Sequence, residues 1–102
     1  MQALLKSQKV AVTCPHNCLN ATNALEFERE LSTTLAQEDV AGLLVDLAAV
    51  DSCDSSGLMA LVSALKLAQN LGKGFQLDSV SPAIKIVLEL TQLDQIFEIS
   101  QG

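Results

Sequence analysis

The chain has 102 residues, 49% of them hydrophobic, enough for one compact domain with one core and no second. Twelve acidic residues against six basic ones give a net charge of −6, which repels nucleic-acid phosphates and an anionic membrane surface alike, and 3% aromatics offer no platform for stacking bases. No apolar stretch approaches the ~20 residues of a membrane span and Met1 to Val10 has no signal-peptide core, so a soluble, cytoplasmic protein with a protein partner is expected, its three cysteines reduced rather than paired.

A weak edge strand is expected within Ala3 to Lys6, followed by the β-like run Val10-Ala11-Val12-Thr13, which Pro15 closes. Asn23-Ala24-Leu25-Glu26 has the form of a capping box, an acceptor side chain with a carboxylate three residues on. From there Ala24, Phe27, Leu31 and Leu35 recur at helical spacing. Gly42-Leu43-Leu44-Val45-Asp46-Leu47 is nearly continuous in apolar side chains, the pattern of a central strand covered on both faces. Ser56 to Leu71 predicts a second helix, with Leu58, Leu61, Val62, Leu65, Ala68 and Leu71 on a buried stripe and Gly72-Lys73-Gly74 as its stop.

Phe75, Leu77 and Ser79 then alternate with Gln76, Asp78 and Val80, so a further strand is expected. Ser81-Pro82 supplies an N-cap and a proline at the first helical position, and Ile84, Val87, Leu88 and Thr91 face one way through a third helix. Ile96-Phe97-Glu98-Ile99 is the expected last strand. Strands alternating with helices at this spacing predict crossovers between parallel strands, hence an α/β fold with a small mixed sheet.

The chemistry concentrates in Asp51-Ser52-Cys53-Asp54-Ser55-Ser56-Gly57-Leu58, between the central strand and the second helix. A helix N-terminus offers unpaired N–H groups and the positive end of the macrodipole, so it accommodates an anion, including a phosphate carried on a side chain. Ser55 sits where such a group would land. Gly57 lets the backbone turn sharply and another surface come close. Asp54, Ser55 and Ser56 are also preferred helix starters, and from local sequence alone capping is the simpler account of them. On the second helix Met59, Ser63, Lys66 and Asn70 form the stripe opposite the core, with Met59 as its only apolar member and a candidate for an adaptable contact.

Val45-Asp46-Leu47-Ala48-Ala49-Val50-Asp51-Ser52-Cys53-Asp54-Ser55-Ser56-Gly57-Leu58 closely resembles the signature of STAS domains, an apolar strand ending in Asp-Leu that leads to an Asp-Ser-Ser-Gly loop. The resemblance continues through Ala64-Leu65-Lys66, Leu71-Gly72-Lys73, Ser79-Val80-Ser81-Pro82, Val87 to Asp94 and Ile96-Phe97-Glu98-Ile99, and so spans about Val10 to Ile99 of one domain. It implies a mixed sheet of about four to five strands packed with about three to four helices. It further implies the anti-sigma-factor-antagonist type of the family, with Ser55 as phosphoacceptor and Ser56 as its neighbour. Members of that type bind an anti-sigma-factor serine kinase when unmodified, release it when phosphorylated, and are reset by a PP2C-type phosphatase. The expected contact set is the loop Asp54, Ser55, Ser56 and Gly57 together with Met59 from the helix periodicity, with no cofactor, metal or catalytic residue. The same fold also serves as a transporter subunit or a signalling scaffold, and fold alone does not choose among these uses.

Three other constellations fit the sequence less well. Cys14, His16, Cys18 and Cys53 could form a Cys₃His zinc set, but Cys-x₃-Cys is not a strong zinc spacing and Pro15 and Asn17 fit ordinary turn chemistry. Ser55 as a hydrolytic nucleophile with His16 as base and Asp46 or Asp51 as orienter lacks the glycine two positions before the serine, where Cys53 stands. Asp51 and Asp54 fit a solvated acidic loop better than an acid–base dyad. The segment from Cys14 to Asn20 departs from the family, whose members often carry a Gly and a Leu-Asp pair before the first helix.

Overall fold

The structure, a computed structural model, describes residues 8–100. In chain order its elements are β1 (Lys9–Thr13), β2 (Asn17–Leu19), α1 (Ala24–Leu35), β3 (Val40–Asp46), β4 (Val50–Cys53), α2 (Ser55–Leu71), β5 (Gly74–Asp78), α3 (Pro82–Leu90), a 3-10 turn (Leu93–Gln95) and β6 (Glu98–Ser100). Four strands form one sheet in the order β1-β3-β5-β6, and β2 and β4 form a separate ribbon. Every pairing among the described strands is parallel. Parallel neighbours need crossovers, and the helices supply them, which is the α/β arrangement that the alternating pattern implies. The edge strand expected within Ala3 to Lys6 lies outside the described residues.

The core forms on one side of the sheet. Leu43 and Val45 on β3, Leu47 just beyond it, and Phe75 and Leu77 on β5 meet Phe27, Leu31 and Leu35 of α1, Leu58, Leu61 and Leu65 of α2, and Ile84 and Leu88 of α3 in a single cluster. All three helices therefore serve the same face. Cover of β3 on both faces, as its apolar run suggests, is not what the fold provides: Leu44 and Asp46 are only half-buried, and on β1 Val10 and Val12 are each 60% exposed. Strand side chains alternate, so helices stacked on one face leave the other largely wet.

Local chemistry sets most boundaries. Ser81 Oγ accepts from Ile84 N–H at 3.3 Å and Pro82 opens α3, as its sequence predicts. At the end of α2, Gly72 takes a left-handed φ of 71°, which lets Gly72 N–H reach Gln69 O at 3.2 Å and Lys73 N–H reach Ala68 O at 2.8 Å. Lys73 then extends its ammonium to Leu35 O at 2.6 Å and Gln37 O at 2.7 Å, capping the carbonyl end of α1 with positive charge.

Four local expectations need correction. The capping box at Asn23 does not form: its backbone is already helical, and its side chain points back, accepting from Asn20 N–H at 3.0 Å and donating to Cys18 O at 2.7 Å. Helix α2 begins at Ser55, one residue early, because Asp54 is its cap. Leu71 is 45% exposed because it closes the helix beside the Gly72 turn. The last strand starts at Glu98, since Leu93 O accepts from both Ile96 N–H and Phe97 N–H and holds them in the preceding turn. Phe97 is still buried, its ring 6.1 Å from that of Phe75.

Candidate functional site

The Asp51-to-Leu58 segment is held at both ends. Beyond β3, Leu47 N–H donates to Asp78 O at 2.9 Å, and Asp46 Oδ1 accepts from Ala48 N–H at 2.9 Å to start a tight turn that Val50 N–H closes on Leu47 O at 3.0 Å. The chain then runs as β4 beside β2, with Asn17 opposite Val50, Cys18 opposite Ser52 and Leu19 opposite Cys53. Asn17 N–H donates to Ala49 O at 2.9 Å on entry, and Asp54 N–H donates to Leu19 O at 3.0 Å on exit. Sequence patterning missed this ribbon, because strands of three and four residues carry too few side chains per face to show a period.

Asp54 has an extended backbone, and its Oδ1 accepts from Ser56 N–H at 2.9 Å and Gly57 N–H at 3.1 Å, while its carbonyl accepts from Leu58 N–H at 2.9 Å. That is a complete N-cap: two orphan donors satisfied by the side chain and the first helical bond by the main chain. Ser55 is the first residue of α2 and is exposed; Ser56 behind it is half-buried. Met59, one turn on, is 59% exposed, and along the same stripe Lys66 and Asn70 are exposed and Ser63 half-buried. The predicted contact residues Asp54, Ser55 and Met59 are thus all exposed at the start of α2.

Gly57 differs from them. It is buried, and a Cβ there would lie 2.6 Å from Leu19 O, 2.7 Å from Leu19 Cβ and 2.8 Å from Cys53 Sγ. The close approach its missing side chain allows is taken by β2 and β4 of the same chain. Leu19, which sequence analysis did not single out, is therefore the wall against which α2 is seated, and only the three-dimensional neighbourhood reveals it.

The remaining candidates disperse. Burial, and secondly the charge of Asp54, push the Cys53 thiol from 9.0 up to about 11, which suits an inert packed thiol rather than a nucleophile. Parallel register sets Cys18 beside Ser52 and Cys53 beside Leu19, so the Cys18 and Cys53 side chains leave opposite faces of the ribbon. Cys14 is exposed, its Sγ 4.0 Å from Asp46 Oδ2. His16 lies with Leu19, Glu26, Phe27 and Glu30 along an open groove of about 550 Å³ beside α1. Among the described residues no cluster of three or more His, Cys, Asp or Glu side chains is placed to hold a metal ion. None of the hydrogen bonds among them links Ser55 to His16, and Asp46 is engaged with Ala48 N–H and Cys14 instead. No helix among them is long and apolar enough to cross a membrane.

Comparison with known proteins agrees with this frame. A Thermotoga neapolitana protein named "Putative anti-sigma factor antagonist TM1081 homolog" is 30% identical over 92 residues, covering 90% of this chain and 81% of its own length. The crystal structure of a Thermotoga maritima protein of like description superposes with a TM-score of 0.85 at 31% identity, covering 91% of this chain and 80% of that one. The phosphorylated form of the Bacillus cell fate determinant SpoIIAA shares the fold, with a TM-score of 0.71 at 16% identity over 94% of this chain and 86% of that one. The sequence profile of the STAS domain matches residues 6–102, nearly all of the chain, which therefore belongs to the STAS domain family.

Proposed function

We propose that this chain is a phosphorylation-controlled binding switch of a bacterial partner-switching system. With Ser55 unmodified it binds an anti-sigma-factor serine kinase and relieves inhibition of a sigma factor or other regulator. Phosphorylation of Ser55 by that kinase ends the binding, and a PP2C-type phosphatase restores it. The chain acts in the cytoplasm as a substrate, not a catalyst, and meets its partner through Asp54, Ser55, Ser56 and Met59, with Gly57 seating the helix beneath them.

The observation that carries this reading is the exposure of Ser55 at the first position of α2, on a mount fixed at both ends by β2. A hydroxyl so placed can enter a kinase active site, and its modification need not move the backbone. Phosphoserine adds about −1.5 to −2 charges at pH 7, next to Asp54 and on the same segment as exposed Asp51, and closing a partner over them requires desolvating a dianion among like charges. Turning a mostly bound population into a mostly free one takes about 5.5 kcal/mol of differential affinity, within the range of a misplaced buried charge. The description of the Thermotoga neapolitana relative and the phosphorylated state of SpoIIAA support the same reading.

Mass spectrometry of the protein isolated from its own cells, with site localisation and identification of co-purified partners, tests it. Phosphate on Ser55 and a co-purifying kinase are expected, with complex formation by the purified pair abolished by Ser55→Glu in calorimetry. Phosphate on Ser56 alone would move the site. Absence of phosphate, with binding indifferent to Ser55→Glu, would replace the switch by a scaffold or transporter-subunit role on the same fold.

A further inference from the structure

A phosphoryl group carried at the first position of a helix ordinarily turns onto the free N–H groups of the first turn, which neutralise part of its charge and favour its dianion. In this chain that place is largely occupied. Asp54 Oδ1 already takes Ser56 N–H and Gly57 N–H, and the Asp54 carbonyl takes Leu58 N–H, which leaves Ser55 its own N–H. The elements packed around the ribbon and α2 are neutral or net acidic. Exposed Asp51 lies on β4, β2 has no charged residue, and α3, which packs against β4, carries one of each sign in Lys85 and Glu89; α1 and β5, which pack against α2, bring Arg29 among Glu26, Glu28 and Glu30, and Asp78. On α2 itself the first cation is Lys66, about three turns away.

We infer that Asp54 is a gate residue that keeps the α2 N-terminus from neutralising a phosphoryl group on Ser55, so that the added charge stays at the surface where a partner must meet it. A neutral residue without an acceptor at position 54 would let the phosphate fold back onto Ser56 N–H and Gly57 N–H. The charge would then be absorbed by the helix, and the barrier to a partner would weaken. The inference rests on the switch proposed above, yet it concerns the state of the phosphate within this chain alone.

The test uses the full chain with phosphoserine installed at position 55 during translation, titrated by phosphorus NMR in the wild type, Asp54→Asn and Asp54→Ala. In the wild type the second phosphate pKa is expected at or above the ordinary value of about 6. Asp54→Asn keeps the cap but removes its charge, and lowers that pKa slightly. Asp54→Ala frees both N–H groups and lowers it further, by at least about half a unit relative to the Asn variant. The phosphorylated Ala variant then also melts higher than its unmodified counterpart. A wild-type value well below 6, equal shifts in the Asn and Ala variants, or no shift in either would overturn the inference. Failure of the switch reading shows elsewhere, as missing phosphate on Ser55 in cells, and leaves this titration unaffected.

Discussion

Leu19 and Gly57 meet at backbone level: the Leu19 carbonyl oxygen stands 2.6 Å from the point a Cβ on Gly57 would occupy. Backbone cannot yield as a flexible side-chain tip can, so Gly57→Ala must lift the first turn of α2 away from the β2–β4 ribbon. The variant is expected to lose about 1–3 kcal/mol of stability in urea denaturation, the usual cost of overpacking. Amide shifts concentrated at Leu19, Cys53 and Asp54 would locate the strain. An unchanged denaturation midpoint would mean that the helix seats differently.

Met59 should behave in the opposite way. It is 59% exposed and outside the core, so Met59→Ser is expected to change stability by no more than about 0.5 kcal/mol. If it belongs to the partner face beside Ser55, the same variant binds the kinase more weakly by calorimetry while its melting curve overlays that of the wild type. Undiminished affinity would remove Met59 from the contact set.

Lys73 ties the start of β5 to the end of α1 through two charge-assisted hydrogen bonds to main-chain carbonyls. Lys73→Met keeps the aliphatic stem and removes the ammonium, and is expected to cost about 1–2 kcal/mol. Hydrogen exchange should report the loss at Leu35 and Gln37, at the carbonyl end of α1, with the α2 N-terminus unaffected.

The raised thiol of Cys53 gives a prediction in pH. A thiol at about 11 in the fold against 9.0 as its ordinary value keeps its proton when the unfolded chain has lost it. The unfolded state therefore binds fewer protons between those limits, and stability falls as pH rises from about 9 toward about 11. Cys53→Ala should show a shallower decline over the same window. At pH 8 iodoacetamide should label exposed Cys14 well before Cys53, as peptide mapping of a time course would reveal.

Much of the frame was legible from local rules. Periodicity exposed α1, α2, α3, β3 and β5, because each carries enough side chains per face to repeat, and Ser81-Pro82 and Gly72 marked helix ends through their own backbone chemistry. Asp54-Ser55-Ser56 was legible as a helix start for the same reason. Local rules failed where an answer depended on distant residues. The amide of Asn23 can cap a helix or tie down a loop, and the nearness of Cys18 decided for the loop. The β2–β4 ribbon has almost no pattern of its own, and without it neither the role of Leu19 nor the need for glycine at position 57 can be derived. The Asp54 N-cap was foreseeable from residue type, but its double engagement, which bears on Ser55, depends on how the first turn folds back on its carboxylate.

The paired anchors at Ala49 and Leu19 have a kinetic corollary. If Ser55 is the phosphoacceptor proposed above, a mount clamped on either side needs no hinge motion after the hydroxyl is esterified. Response time in the proposed switch would then be set by the enzymes that add and remove the ester and by dissociation of the complex.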